Sequence, residues 1–153
     1  MALTRTAARL GCALAALVLA GCSCVVPPPP EKYFSRADPV GTVNFFRYAL
    51  ETEQYASAYS CIPPVDREEF SQARFSIAAR FYPHPQYDLR VREYLIDCVP
   101  VDLTWHPSGE GAVVETQFDR EDLGIFTEEQ IYLLLVDGVW YLDLKSTAEY
   151  WLQ

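Results

Sequence analysis

The sequence has 153 residues, half of them hydrophobic, and carries 21 acidic against 12 basic side chains, for a formal net charge of −9. A chain of this size and composition can build one hydrophobic core without a metal or a disulfide framework. The composition also argues against nucleic-acid binding. Such binding needs clustered Lys and Arg, and lysine occurs only at Lys32 and Lys145. We also expect anionic lipid to repel the domain's own surface.

The first 21 residues are typical of a secretory signal peptide. Arg5 and Arg9 precede an apolar stretch, 10–20, which is too short to cross a bilayer as a helix. The stretch ends in Leu-Ala-Gly followed by Cys22, and this ending resembles the lipobox of bacterial lipoproteins. The resemblance implies that residues 1–21 are a lipoprotein signal peptide that is removed, and that the Cys22 thiol is lipidated and anchors the protein to a membrane.

The residue after the lipidated cysteine bears on the destination of the protein. In Gram-negative sorting, as known for such lipoproteins, a residue other than Asp implies the outer membrane, and Ser23 fits that pattern. We therefore expect a cell-envelope location, on the outer membrane facing the periplasm if the source is Gram-negative. The alternative is an ordinary signal peptide cut after a small residue, which has no need of Cys22.

Residues 22–37 are predicted to form a proline-rich tether. Four consecutive prolines, 27–30, favour an extended polyproline conformation that rises about 3.1 Å per residue. The stretch from Cys22 to Asp38 can reach at most roughly 50 Å when extended. The folded domain, predicted over 38–153, should therefore stay near its membrane. Recognition of the prolines by an aromatic groove is the weaker alternative.

Helical patterns follow the tether. Asp38 as N-cap and Pro39 at the first helical position predict the start of one helix, and apolar residues then repeat at helical spacing through Leu50. A short second helix is predicted between Tyr55 and Ile62, where the next two prolines end it.

A third helix is predicted after these prolines. Asp66 and Glu69 have the spacing of a capping box, which would open the helix. Four apolar residues then recur along one face, which predicts that this face is buried: Phe70, Ala73, Ile77 and Phe81.

From Tyr87 the period changes from helical to alternating, which predicts strands. The alternation is clearest over 101–105 and returns over 112–119. Pro100 has no backbone N–H to donate, so we expect a bulge or a sheet edge beside it.

Two more strands are predicted over 131–136 and 139–144, around Asp137 and Gly138. This pair of residues favours a two-residue type I′ hairpin turn. The acidic run between 119 and 129 is predicted to be a solvated loop, because it lacks the spacing of a calcium-binding loop. A closing turn of helix is expected within 146–152.

The pattern of helices followed by a bent antiparallel meander resembles the nuclear transport factor 2-like cone, which ketosteroid isomerase and polyketide-cyclase-like proteins share. The opening DPVGTVNFFRYALETEQYASAYSC and the closing VDGVWYLDL carry the resemblance, which spans 38–145. It implies an α+β fold with N-terminal helices packed on a curved antiparallel sheet. No catalytic signature of the family is matched, so no functional residue is carried over from it.

Cys61 and Cys98 leave two alternatives open. In an exported protein they could form a disulfide, closing a loop of 37 residues and stabilising the fold by roughly 3–4 kcal/mol in the chain-entropy model. They could equally be buried free thiols that pack as small hydrophobic residues.

A ligand pocket is the other candidate site. Four aromatic residues could line it, although packing in the core would explain them equally well: Tyr59, Trp105, Tyr132 and Trp140. His84 and His106 lie apart and lack the spacing of a zinc motif. We predict no metal site, no cofactor and no catalytic residue.

The sequence thus favours a lipid-anchored bacterial envelope lipoprotein. Its domain would bind a protein partner or a small apolar ligand, or serve in assembly, without catalysis. The alternative is a small cone enzyme of the isomerase or dehydratase type, in which a buried carboxylate and a tyrosine act on the substrate.

Overall fold

The computed structural model describes residues 26–147; the predicted signal peptide, Cys22, Cys24 and residues 148–153 lie outside this range. In chain order the elements are α1 (Pro39–Glu51), α2 (Tyr55–Tyr59), α3 (Gln72–Phe81), α4 (Val91–Asp97), β1 (Val99–Trp105), β2 (Gly111–Arg120), β3 (Ile125–Val136), β4 (Val139–Leu142) and α5 (Leu144–Thr147). Single turns of 3₁₀ helix lie at Pro30–Lys32, Asp66–Glu68 and Glu121–Leu123. Helices that precede an antiparallel four-stranded sheet place the domain in the α+β class, as predicted.

Helix α1 begins as its sequence predicts. Asp38 is the N-cap and its carboxylate accepts a hydrogen bond from the Gly41 backbone N–H at 2.6 Å, while Pro39 occupies the first helical position. The buried side of α1 includes Val43 and Leu50, and the helix packs on α2, α4 and three of the four strands. It is the central element of the helical layer.

Helix α3 begins later than predicted. Its N-cap is Ser71, whose hydroxyl accepts a hydrogen bond from the Arg74 backbone N–H at 3.3 Å. The capping box predicted from Asp66 and Glu69 was wrong: both carboxylates instead bind the Lys145 ammonium, at 3.0 and 3.2 Å. This pairing joins the segment before α3 to α5.

The predicted buried face of α3 was also wrong beyond Phe70. The helix turns Phe75, Ala78 and Ala79 into the core, whereas Ile77 is 53% and Phe81 66% exposed. The helix has two apolar stripes, so periodicity alone could not choose between them. The tertiary structure selects the stripe of Phe75, whose ring is surrounded by aromatic neighbours.

Helix α4 is absent from the predictions, which gave strands from Tyr87 onward. It closes its first turn through the Glu93 carboxylate, which accepts a hydrogen bond from the Arg90 backbone N–H at 2.8 Å. Its buried residues, Val91, Tyr94 and Leu95, have the i, i+3, i+4 spacing of one helix face. In a stretch this short, the same residues are compatible with either the helical period or the alternating period of a strand.

The sheet is an antiparallel meander in the order β1-β2-β3-β4. The register of β1 on β2 shifts between Pro100 and Asp102, which confirms the irregularity predicted beside Pro100. Asp137 and Gly138 have φ values of 51° and 77°, so both central residues of the β3–β4 turn are left-handed, as a type I′ turn requires. Both of these local predictions are confirmed.

Strand β3 is longer than predicted and starts at Ile125 rather than at 131. The acidic residues Glu128 and Glu129, predicted to lie in a loop, are part of this strand and pair with β2. The alternation predicted for β2 is confirmed, because Val114 and Phe118 are fully buried beneath the helices. Residues on β3 that pair with these inward positions therefore also face the helical layer.

Packing onto the domain begins inside the predicted tether. The Tyr48 hydroxyl and the Gln54 side-chain amide donate hydrogen bonds to the Pro28 carbonyl at 3.2 and 2.9 Å, and Pro30 is buried. Pro28 and Pro30, which lie in the predicted tether, therefore contact the domain. Six positions separate Cys22 from Pro28 in the sequence, and a chain of this length reaches roughly 20 Å when extended.

Candidate functional site

The four predicted pocket residues lie in three different places. Trp105 on β1 and Trp140 on β4 contact each other edge to face, with ring centroids 5.5 Å apart. Tyr59 belongs to the helical layer, where its hydroxyl donates a hydrogen bond to the Phe70 carbonyl at 2.8 Å. Tyr132 lies on the face of the sheet opposite the helices, because it neighbours the inward-facing Ile131.

Cys61 and Cys98 are both free and buried in the structure. Burial raises the pKa of each thiol to about 12, although Arg36 acts in the opposite direction at Cys61 and Thr116 does so at Cys98. Both are therefore neutral thiols at physiological pH, and a neutral thiol is a poor nucleophile. The structure corresponds to the alternative in which the two cysteines pack as small hydrophobic residues.

A group of polar side chains that the sequence did not single out meets between α4 and the sheet. The Tyr94 hydroxyl donates a hydrogen bond to the Glu129 carboxylate at 2.6 Å, and the Thr116 hydroxyl donates to the Glu129 carbonyl at 3.2 Å. Cys98 lies beside Thr116 and Tyr94, and the His84 ring centroid is 4.3 Å from that of Tyr94. We call these five residues the Tyr94 cluster.

Several separate elements build the Tyr94 cluster. His84 precedes α4, Tyr94 lies on α4, Cys98 directly follows it, Thr116 lies on β2 and Glu129 on β3. The pairing of Thr116 with Glu129 across the two strands brings the carboxylate to the inner face. No spacing in the sequence signals this arrangement, because it depends on the register of β3.

A tyrosine beside a carboxylate and a histidine is a set of groups that acid–base enzymes use. Here, however, the Tyr94 side chain is only 1% exposed. Its ring packs against Phe118 at 4.6 Å and Tyr87 at 5.7 Å, in addition to His84. Protein side chains thus surround Tyr94, and its hydrogen bond to Glu129 lies at the border of the core.

The burial of His84 makes the stability of the fold depend on pH. Burial lowers the pKa of His84 below its ordinary value, and the Glu129 carboxylate offsets this only in part. The unfolded chain therefore takes up the proton at a higher pH than the folded one. The resulting stability is complete above about pH 6.5 and is lost as the pH falls from there toward the lower pKa of the folded state.

We expect His84→Gln to weaken this pH dependence. Between about pH 7.5 and pH 5.5, wild-type protein should lose up to about 1.4 kcal/mol per pH unit through His84, and the variant should lack this part of the loss. Urea unfolding at the two pH values measures the difference. The matched control is His106→Gln, at an exposed histidine, and an equal pH dependence in both variants would contradict the assignment to His84.

A small cavity lies where the start of α3 meets α5. Its volume is about 160 Å³, which is below the roughly 300–1,000 Å³ of typical ligand sites. Apolar side chains form part of its lining and charged ones the rest: Ile62, Phe70, Leu144, Asp66, Glu69, Arg74 and Lys145. The volume leaves room for a small group only, and the two carboxylates in the lining are already bound by Lys145.

Strand β1 forms an open edge of the sheet, because β2 is its one partner strand within residues 26–147. Val101 is 55% and Trp105 54% exposed there. The edge is protected from strand addition: Pro100 has no N–H, and the Asp102 carboxylate accepts the Leu103 backbone N–H at 2.8 Å. Contacts at this edge would therefore be made by apolar side chains.

Within residues 26–147, no group of three or more His, Cys, Asp or Glu side chains is placed to hold a metal ion. In the same range no helix has the length and hydropathy needed to cross a bilayer. Comparison of the chain with protein-family models, with curated proteins and with solved structures gives no match. The function must therefore be argued from the residues themselves.

Proposed function

We propose that this chain is a lipid-anchored envelope lipoprotein whose domain binds a partner or serves in assembly without catalysis. The lipobox-like ending at Cys22 supports the anchor, and Ser23 supports the outer membrane if the source is Gram-negative. Helices followed by a four-stranded antiparallel meander are compatible with the nuclear transport factor 2-like cone, which we propose as the finer fold.

The exposed β1 edge is the observation that carries the binding function. Large apolar side chains that remain exposed together on a small domain commonly mark a contact surface. Val101 and Trp105 are such residues, and Trp105, which pairs with the inward-facing Ala112, is supported from behind by the buried Trp140. Because this apolar surface lies on an open strand edge, we propose a protein partner rather than a small apolar ligand.

The alternative, a cone enzyme, receives less support. Its best candidates would be Glu129 as base and Tyr94 as hydrogen-bond donor, and these two groups bind each other. A substrate would have to displace the aromatic rings that surround Tyr94. The cluster is better explained by its contribution to the packing of α4 on the sheet.

The anchor predicts a clear phenotype for Cys22→Ala. The variant should lose labelling by a fatty-acid probe and be released from membranes, because the acylated thiol is gone. Fractionation of cells followed by detection of the labelled lipid measures both effects. Cys24→Ala is the matched control and should behave as wild type; a Cys22→Ala protein that stays labelled and membrane-bound would show that the proposed anchor is wrong.

The binding function predicts a cross-link from β1. A photoreactive amino acid in place of Val101 should give one discrete adduct of higher mass in intact cells, because this side chain would contact the partner. The control carries the same photoreactive amino acid in place of the exposed Glu121, and it should give no such adduct. Illumination that yields no adduct from either position would contradict partner binding at this edge.

A further inference from the structure

Helix α3 presents a second apolar stripe to solvent. Ile77 and Phe81 lie one helical turn apart on its outer side, and Tyr82 directly follows the helix and is also exposed. The core-facing side of the same helix is already fully packed through Phe75, Ala78 and Ala79. Ile77, Phe81 and Tyr82 are therefore not part of the buried core.

The segment that carries this stripe is basic, whereas the whole protein is acidic. Residues 70–87 contain no Asp or Glu, although the chain has 21 acidic residues. Arg74 and Arg80 flank Ile77 on the exposed part of the helix. Asp66 and Glu69 line a cavity together with Arg74, but the Lys145 ammonium binds both of these carboxylates. More distant acidic residues are largely screened beyond a Debye length of about 8–10 Å, so Arg74 and Arg80 are the cations that this stripe offers to an anion.

The position of α3 relative to the tether points to the ligand of this face. The Arg80 guanidinium lies 4.6 Å from the centre of the Tyr55 ring, near the C-terminal end of α3. Tyr55 directly follows Gln54, which binds the Pro28 carbonyl where the tether joins the domain. The cationic end of α3 and the exit of the tether are thus at the same end of the molecule.

The tether is short at this point. Pro28 follows Cys22 by only six positions, so the domain begins at most roughly 20 Å from the residue that carries the lipid. An anchored domain has a high effective concentration at the bilayer, so even a weak surface contact becomes populated. The part of the domain next to Pro28 is the part that meets the membrane first.

We propose that the outer face of α3, formed by Arg74, Ile77, Arg80, Phe81 and Tyr82, lies on an anionic phospholipid surface. This inference rests on the proposed anchor at Cys22. The apolar side chains would enter the boundary between headgroups and acyl chains, and the arginines would bind lipid phosphates, as in amphipathic interfacial helices. The expectation that lipid repels the domain then holds for its average charge but not for α3.

Depth-dependent quenching of a fluorescent label tests the contact. The anchored full-length protein, with Cys24→Ser, is labelled with a polarity-sensitive dye at Phe81→Cys and reconstituted into phosphatidylethanolamine vesicles with phosphatidylglycerol. Cys61 and Cys98 are buried and remain unlabelled. The control label is at Phe126→Cys, which replaces the same residue type at 61% exposure on β3. Phe126 pairs with Asp119, next to the buried Phe118, so it lies on the opposite face of the sheet.

We expect spin-labelled lipid to quench the dye at position 81 at least about twofold more than the dye at position 126. The difference should shrink without phosphatidylglycerol, and also in the combined variant Arg74→Gln and Arg80→Gln. Equal, weak quenching at both positions in vesicle-bound protein would overturn the membrane contact and leave the anchor standing.

Two further outcomes separate the contact from its alternatives. A dye at position 81 that is shielded from aqueous iodide but not quenched by lipid would show that a second copy or another protein covers α3, which overturns the proposal. Quenching at position 81 that persists in Cys22→Ala protein would support the contact and show that α3 binds the bilayer without the anchor. Protein that does not associate with vesicles at all would overturn both.

Discussion

Replacing Phe75 by alanine is expected to lower the free energy of unfolding by about 3–5 kcal/mol, the usual cost of removing a fully buried aromatic ring. Phe75 is 0% exposed. Its ring centroid lies 5.8–6.3 Å from those of three other rings, which belong to Phe46, Tyr59 and Phe70. The substitution therefore leaves a cavity between α1, α2 and α3 that these large side chains cannot readily fill.

Phe81→Ala is the matched control on the same helix. Because the Phe81 ring is mostly exposed, its removal should change the free energy of unfolding by less than about 0.5 kcal/mol. Chemical denaturation of both variants measures the contrast. If Phe81→Ala were the more destabilising of the two, α3 would bury the face that its periodicity first indicated, and the outer face proposed to contact lipid would not exist.

Tyr94→Phe is expected to cost about 1–3 kcal/mol. The change removes only the hydroxyl that donates to the Glu129 carboxylate at 2.6 Å, and it leaves the buried ring in place. Glu129 is half-buried, so its carboxylate loses a donor where water can replace it only in part. The free energy of unfolding at neutral pH, from urea denaturation, is the quantity to measure.

Tyr132→Phe makes the same chemical change on the outer side of the sheet. The Tyr132 hydroxyl donates to the Gln130 side chain at 3.0 Å in an exposed position, so we expect a cost below about 0.5 kcal/mol. Equal costs for the two variants would mean that the Tyr94–Glu129 hydrogen bond does not stabilise the fold, and the Tyr94 cluster would then need another explanation.

Predictions from local chemistry were the most accurate. Asp38 and Pro39 set the start of α1 through a side-chain cap and a fixed φ, and Asp137 and Gly138 set the β3–β4 turn through left-handed backbone. The missing N–H of Pro100 gave the irregularity in β1. Each of these depends on a few consecutive residues and on no distant contact.

Predictions that needed a choice between equivalent patterns were less accurate. Helix α3 carries two apolar stripes, and the rings of α1 and α2 decide which one is buried. Asp66 and Glu69 have the spacing of a capping box, but Lys145, far along the chain, takes both carboxylates. The Tyr94 cluster could not be foreseen at all, since Glu129 reaches the inner face only through the register of β3 on β2.

The sequence by itself determined the acidic character of this protein, the α+β class, the cap of α1, the β3–β4 turn and the prediction of an anchor at Cys22, because these follow from composition and from neighbouring residues. Only the tertiary structure decided that packing begins at Pro28, that Tyr94 and Glu129 meet, and that Ile77 and Phe81 stay outside. These features depend on contacts between distant segments, where packing selects one arrangement among several that local preference allows equally.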